Sequence, residues 1–491
     1  MKEKIKLFCV QYADAFLAAS LASFLIFLFT RHSGIGLSPD SIAYLSTSEH
    51  IAQSFSFTDF SGAAFVNFPL GYPVFLTLAH GLFSFPILNA ILFSSVLFIT
   101  AAIMRQMTNT NKIIRCCFLL FFACCSPLLE VYGMLWSETV FVPLCLFLIN
   151  YLYKYSEVNT YKNLIKAALI CGLLFFVRYA GIAGLLAGSL IILIQYRVAI
   201  QKRIVHVFIF GSISIILPLI NLIRNLLITG TYTGVRQQAQ RSLWDNLLDT
   251  ASVITNWVPS SPTIAISMLL AIMLLGASMI LYAVLKHASL QKIELPIAVF
   301  FLSYISFILT IASISRFETL SNRLLIPLFI PFFLLLYYLI CKSVAAEKKT
   351  IRIISICFFI LSYSALQYHH YQQNKASWEG IASAGIPGYA EDMWANSALL
   401  AHIKKQPIGK DQIVYANAND ALYYGTKHNA LSLPHKDIPA EIKVYEESSP
   451  IILVWFFYGE NEDLISLEKA LEKRTILHSY QFNDGLLIYC K

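Results

Sequence analysis

The sequence predicts an α-helical polytopic membrane protein, with about eleven transmembrane helices and a small C-terminal α/β extracytoplasmic domain. Three observations carry this. The 491 residues are 57% hydrophobic and only 13% charged, about half the charge of an ordinary soluble domain. Apolar runs long enough to cross a bilayer recur along most of the chain. After His369 those runs stop, and acidic side chains, short strands and amphipathic helices replace them.

The candidate spans are 12–31, 86–105, 113–129, 135–153, 163–177, 180–196, 204–228, 263–286, 295–314, 324–341 and 351–368. The first follows MKEKIK, but it is too long for a signal-peptide core and no small-residue cleavage site follows it. It reads as a retained helix. Segment 71–84 is apolar but short, so it reads as a partly inserted or interfacial helix.

Counting Lys and Arg orients the chain. With the N-terminus inside, the inner segments hold eighteen positive residues, among them Arg105, Arg115 and Lys166. The short outer loops hold six: Arg31, Arg178, Arg236, Arg241, Arg316 and Arg323. That asymmetry predicts a cytoplasmic N-terminus, and an odd number of spans puts everything after His369 outside. The same distribution excludes a nucleic-acid partner. The net charge of +8 lies in short loops, with no basic stripe.

The ten cysteines form no framework. Most lie in or beside apolar runs, where Cys behaves as a small hydrophobe. Adjacent pairs such as Cys116-Cys117 lack zinc-site spacing.

The region 369–491 reads as alternating elements. An amphipathic helix spans 392–405. DQIVYANA is a strand, and NDALYYGTK is a helix capped by Asn419 or Asp420 and closed by Gly425. IILVWFF is a buried strand, DLISLEKALEKR a helix, and TILHSYQF-ND-GLLIYC a hairpin.

The chemistry-bearing residues concentrate at outer helix ends. In the loop 32–85, Ser38, Pro39 and Asp40 form a helix start: Ser at the N-cap, Pro in the first position, an acid in the first turn. Capping alone accounts for that spacing. A carboxylate at this depth is also placed to take a proton from an attacking hydroxyl or amine. Asp59 is a second acid in the same loop. Glu138, in GMLWSETVF, starts a spanning helix, where Ser137-Glu138 is either a cap or a site. Arg178, Arg224, Arg316 and Arg323 fall on the same side. Their forks suit phosphate, although snorkelling or pairing with acids such as Glu318 explains them equally. A divalent metal is the other way to supply positive charge, with Asp40 and Glu138 as candidate ligands. His32, His50 and His80 match no metal spacing.

Several patches, in order, resemble one family. PDSIAY (39–44) carries Asp40 and Tyr44, and PLGYP (69–73) carries Tyr72. Ser137-Glu138, RYAG at Arg178, RNLLITG at Arg224, NRLLIP at Arg323 and the stretch 394–434 follow. Together they resemble the bacterial GT-C superfamily of glycosyltransferases, of the protein O-mannosyltransferase and aminoarabinose transferase type. The resemblance implies a GT-C-like transmembrane catalytic domain over 1–368 and an outer α/β domain over 369–491. It implies an inverting hexosyl or pentosyl transfer from a polyprenyl phosphate donor to an acceptor lipid, glycan or protein at the outer face. Asp40 matches the family's catalytic acid. Tyr44, Tyr72, Glu138, Arg178, Arg224, Arg316 and Arg323 become the expected substrate-binding set. Many members carry two adjacent acids at the first site, whereas Asp40 is followed by Ser41.

Two other classes remain open on the residues alone. A polytopic lipid or solute transporter places ionisable groups at mid-helix, near broken helices. A scaffold would act through a partner of its C-terminal domain.

Overall fold

A computed structural model describes residues 10–234, 238–286, 292–316, 319–409, 411–458 and 461–491, and it does not describe the side chain of His80. Arg236, Glu318 and the basic start of the chain therefore lie outside the described residues.

The chain divides into two compact units. The first takes the chain up to Arg31, then Val66–Tyr72 and Leu82–Glu379. Its helices in order are α1 (Ala13–Thr30), α4 (Phe85–Gln106), α5 (Lys112–Cys124), α6 (Ser126–Gly133), α7 (Glu138–Val158) and α8 (Tyr161–Val177). α9 (Ile182–Leu193), α10 (Ile200–Thr229), α11 (Leu243–Trp257), α12 (Pro262–Leu285), α13 (Glu294–Ile314), α14 (Asn322–Val344) and α15 (Lys349–Ala384) follow. Two helices between α1 and α4 are α2 (Pro39–Ser54) and α3 (Gly71–His80).

Every expected span coincides with a helix, but the count of eleven is not confirmed. Among the described residues, eight helices are long and apolar enough to cross a bilayer, or nine if α5 and α6 are one span bent by 45°. The break falls at Cys125, whose backbone is extended, with Pro127 in the first turn of the helix that follows. Proline has no N–H to give the ladder and restricts the residue before it. α8 has 17 residues, at the lower limit for a crossing, and α9 has 12, too short to cross alone. α11 was not expected at all. Ser242 and Asp245 start it with a capping box, a signal present in the sequence.

Packing follows side-chain size. α1 lies against α4 and α5, α7 against α8, α8 against α10, and α13 against α9, α12 and α14. Phe121 and Phe122 on α5 interlock with Phe329 and Phe333 on α14, with ring centroids as close as 4.8 Å, and Phe118 meets Tyr337 of α14 edge-on at 5.3 Å. α12 instead leaves Leu270, Leu274, Leu281 and Leu285 exposed. Such a face suits hydrocarbon and would be costly in water.

The second unit takes His32–Phe65, Pro73–Gly81 and Gly380–Lys491. Its α16 (Asp392–Ala395) and α17 (Ala398–Lys405) replace the single helix expected over 392–405. The break lies at Asn396-Ser397, where Ser397 caps α17 by accepting from the Leu400 N–H at 3.1 Å. β1 (Ile413–Ala416), α18 (Asn419–Thr426), β2 (Leu431–Ser432), α19 (Pro439–Glu447), β3 (Ile451–Phe456), α20 (Leu467–Leu471), β4 (Ile476–Phe482) and β5 (Gly485–Cys490) complete it. The expected strands and hairpin are present. α18 ends at Lys427 in a left-handed conformation, not at Gly425, and no side chain caps its start.

The sheet order is β2-β1-β3-β5-β4, parallel from β2 to β3 and antiparallel from β3 to β4. Alternate residues feed the two faces. Ile452, Val454 and Phe456 join Val414, Leu399 and Leu422 on one side. Ile451 and Leu453 join Tyr415, Tyr445 and Ile488 on the other. Burial on both faces is why IILVWF is an unbroken apolar run.

Candidate active site

In the first unit, five patches far apart in sequence meet. Arg178 leaves α8 in extended backbone, followed by a 3₁₀ turn, Tyr179–Gly181. PLGYP packs against this exit. A Cβ on Gly71 would stand 2.4 Å from the Phe176 carbonyl oxygen, so only glycine allows the approach. Tyr179 donates its hydroxyl to the Val66 carbonyl at 3.3 Å and accepts from Asn225 at 3.2 Å. Asn225 also donates to the Tyr232 carbonyl at 2.9 Å. Asn221, one turn earlier on α10, accepts from the Leu70 N–H at 3.3 Å. Arg224 is half-buried beside them and donates to Asn225 Oδ1 at 2.9 Å.

Glu138 stands at the centre of a charged cluster in the same unit and is fully buried. Its Oε1 meets Arg178 Nη1 at 2.5 Å and Arg323 Nε at 2.8 Å. Ser137 does not cap α7 with its side chain. Its hydroxyl accepts from Arg178 Nη1 at 2.8 Å and lies 3.3 Å from Glu138 Oε2. Arg323 lies over the Trp136 ring at 4.8 Å, and Arg178 over Phe141 at 5.9 Å. The first turn of α14 is pinned on both sides of Arg323. Asn322 donates to Glu130 at 2.7 Å and accepts from the Trp257 indole at 3.0 Å. Tyr304 donates to the Leu324 carbonyl at 3.1 Å. Two guanidiniums and one carboxylate give these three groups a formal charge of +1.

Two other candidates belong to the same unit. Tyr72 is buried at the start of α3, and Arg316 is half-buried beyond the end of α13.

The second unit holds Asp40 and Tyr44. Ser38 caps α2 as expected: its hydroxyl accepts from the Ser41 N–H at 3.4 Å, and Ser41 Oγ accepts from the Ser38 N–H at 3.0 Å. Asp40 is half-buried in the first turn. Tyr44 is buried, its ring 6.2 Å from that of Phe65. Asp59 is used in a turn, accepting from the Ser61 N–H at 2.8 Å and its hydroxyl at 2.6 Å.

A divalent metal does not fit at Glu138. Glu138 is already shared by two cations, which would repel a third. His32 Nε2 pairs with Asp392 at 3.1 Å, and His50 contacts the Thr58 carbonyl and the Tyr423 hydroxyl. Among the described residues no three His, Cys, Asp or Glu side chains converge as a metal-holding group.

Sequence reasoning missed Trp136, Tyr179, Asn221, Asn225 and Asn322. The signal for two of them was there: Asn221 and Asn225 stand four apart, on one face of a long apolar helix, and polar residues within such spans are rarely idle.

No protein-family model matches the chain, and no curated protein matches it. Solved structures do. The chain resembles ArnT from Cupriavidus metallidurans in the apo state with a TM-score of 0.60 at 10% identity, covering 96% of this chain and 97% of that one. The fold is the expected GT-C type. ArnT bound to undecaprenyl phosphate matches with a TM-score of 0.60 at 9% identity, over 97% of this chain and 98% of that one. The archaeal oligosaccharyltransferase AglB from Archaeoglobus fulgidus, in complex with an inhibitory peptide and a dolichol-phosphate, matches with a TM-score of 0.55 at 12% identity. That match covers 97% of this chain and 74% of AglB. The ArnT-like fold therefore extends over nearly all of the chain.

Proposed function

We propose that this chain is an inverting GT-C-type glycosyltransferase that moves a sugar from a polyprenyl phosphate to an acceptor lipid, glycan or protein. The reaction takes place at the outer face of the bacterial cytoplasmic membrane, with the N-terminus cytoplasmic. The observation that carries the reading is the Glu138–Arg178–Arg323 cluster, assembled from separate sequence patches within an ArnT-like fold.

Asp40 acts as the general base. It takes the proton of the acceptor hydroxyl or amine as that atom attacks the anomeric carbon. The bond from that carbon to the phosphate oxygen breaks, and polyprenyl phosphate leaves with the electron pair. The transition state is oxocarbenium-like, as in other sugar transfers. Charge develops on the departing phosphate, and fixed guanidiniums stabilise it without reorganising. A guanidinium has five N–H donors, and Arg178 uses Nη1 for both Ser137 and Glu138. Glu138 holds the two arginines in place. Arg224 and Arg316 supply further positive charge to the donor, and Tyr44 and Tyr72 supply aromatic surface to the substrates.

The test is mass spectrometry of lipid-linked sugars and envelope glycans in cells with and without the protein. Loss of the protein is expected to leave one polyprenyl-phosphate-linked sugar accumulated and one glycan modification missing. Asp40→Asn at normal protein level is expected to reproduce this, with transfer slowed about 10²–10⁴-fold. Unchanged lipid-linked sugars and glycans would refute the reading.

A further inference from the structure

The start of α2 is tied to the C-terminal region by contacts inside the second unit. Tyr389 donates its backbone N–H to the Leu37 carbonyl at 2.8 Å, directly before the Ser38 cap. The preceding Gly388 has φ +108°, and a Cβ there would stand 2.2 Å from the Leu37 oxygen, so the close crossing requires glycine. The Tyr389 side chain runs the other way. Its hydroxyl donates to Asp420 Oδ2 at 2.8 Å, and the ring packs edge-on against Trp394 at 5.1 Å. Asp420 is buried in the first turn of α18, where its Oδ1 accepts from the Ala421 N–H at 2.9 Å. α18 itself packs against α2. A second tie lies farther along α2, where Lys427 Nζ reaches Glu49 at 2.8 Å.

We propose that Tyr389 and Asp420 are positioning residues for Asp40, forming a strap from the 386–389 turn to α18 that sets where the first turn of α2 stands. The proposal rests on the reading of Asp40 as the base. It also explains the NDALYYG stretch, because Asp420 anchors a tyrosine whose backbone holds the residue before the Asp40 helix. Burial, and behind it the nearby Asp40 charge, push the Asp420 carboxyl above its ordinary value. Asp420 accepts the Tyr389 hydrogen bond in either protonation state, through a carboxylate oxygen or a carbonyl oxygen. Asp40 therefore needs no charge on Asp420 to be held. Small displacements of a reacting group cost rate far more than binding.

The experiment uses the purified full-length protein and the lipid-linked sugar that accumulates in cells lacking it. Tyr389→Phe and Asp420→Ala are each expected to lower kcat about 10–100-fold with KM nearly unchanged. Hydrogen exchange at residues 37–42 should quicken while the amides of β1, β3 and β5 stay protected. The double variant should be no worse than either single one, since both cut the same strap. Asp420→Asn, which keeps an acceptor for the Tyr389 hydroxyl, should lose less than Asp420→Ala. Wild-type kcat and wild-type exchange in Tyr389→Phe would overturn the proposal. So would a double variant whose loss is the product of the two, or sheet amides that open together with 37–42. If no lipid-linked sugar accumulates, the transferase reading falls, and the exchange arm alone decides whether the strap holds the turn.

Discussion

Among its described residues the first unit contains two buried acid–diarginine clusters, and they are built differently. At one end of the α5–α6 stretch, Asp14 on α1 meets Arg105 at the end of α4 and Arg115 at the start of α5. Beyond the other end, Glu138 meets Arg178 and Arg323. Asp14 divides its oxygens: Oδ1 takes Arg105 and the Ala15 N–H, and Oδ2 takes Arg115 at 2.7 Å. Arg105 spreads over further acceptors, donating to the Ala101 carbonyl at 2.9 Å and the Gln11 carbonyl at 2.7 Å. It binds the carbonyls of a helix end, as a cation there should. Its work is to close a helical corner. Glu138 instead draws both arginines onto one oxygen, from patches about forty and nearly two hundred residues away. Similar chemistry thus serves a corner in one place and gathers positive charge in the other.

The largest effect expected from this contrast is on turnover. Arg178→Ala should cut transfer about 10²–10³-fold, the usual cost of removing one preorganised donor to a developing charge. The readout is the rate per folded molecule, measured on protein that elutes as a single species in detergent. Equal rates in Arg178→Ala and the wild type would break the contrast.

The next effect is on stability, and here the clusters should behave alike. Asp14→Asn and Glu138→Gln each leave two buried guanidiniums short of their anion. Breaking such a group typically costs about 3–5 kcal/mol. Thermal unfolding in detergent should show both losses. Activity per surviving molecule should fall in Glu138→Gln and persist in Asp14→Asn, because Asp14 lies outside the proposed site.

A smaller loss is expected at Asn225. Its amide links Tyr179, Val66 and Tyr232. Asn225→Ala should lower stability by about 1–3 kcal/mol, the cost of leaving buried partners unsatisfied. It should lower turnover less than Arg178→Ala does.

Which parts of this were legible in the sequence follows from the physics of each. Apolar runs mark helices because lipid demands them, so every expected span met a helix. The number of crossings was not legible, because the Cys125 break and the short α8 and α9 depend on neighbours. The Ser38 cap was legible because capping is local. Glu138, Arg178 and Arg323 were each named, yet their shared oxygen was not, since a single sequence holds no sign of which distant segments touch. Asp14 was passed over because it stands at the edge of an apolar run and reads as part of it. The same held for Asp420, which looked like a helix cap. In the fold it accepts from Tyr389 instead.

The smallest expected effect is pH-linked and belongs to Asp420. Its carboxyl is raised, first by burial, so the folded state holds a proton that the unfolded chain releases. Stability from this group is fully present below the unfolded value of about 3.9 and is lost as pH rises through the folded value. Relative to Asp420→Asn, the wild type should therefore gain thermal stability as pH falls from neutral toward that unfolded value. A constant difference between the two would show that Asp420 does not titrate differently on folding.

The central claim is that the Glu138 cluster serves sugar transfer while the Asp14 cluster serves the fold. Its most direct test is the level of polyprenyl-phosphate-linked sugars, by mass spectrometry, in cells carrying Arg178→Ala or Arg105→Ala at matched protein levels. Accumulation is expected with Arg178→Ala, as in cells lacking the protein, and wild-type levels with Arg105→Ala. Wild-type levels with Arg178→Ala would contradict the claim.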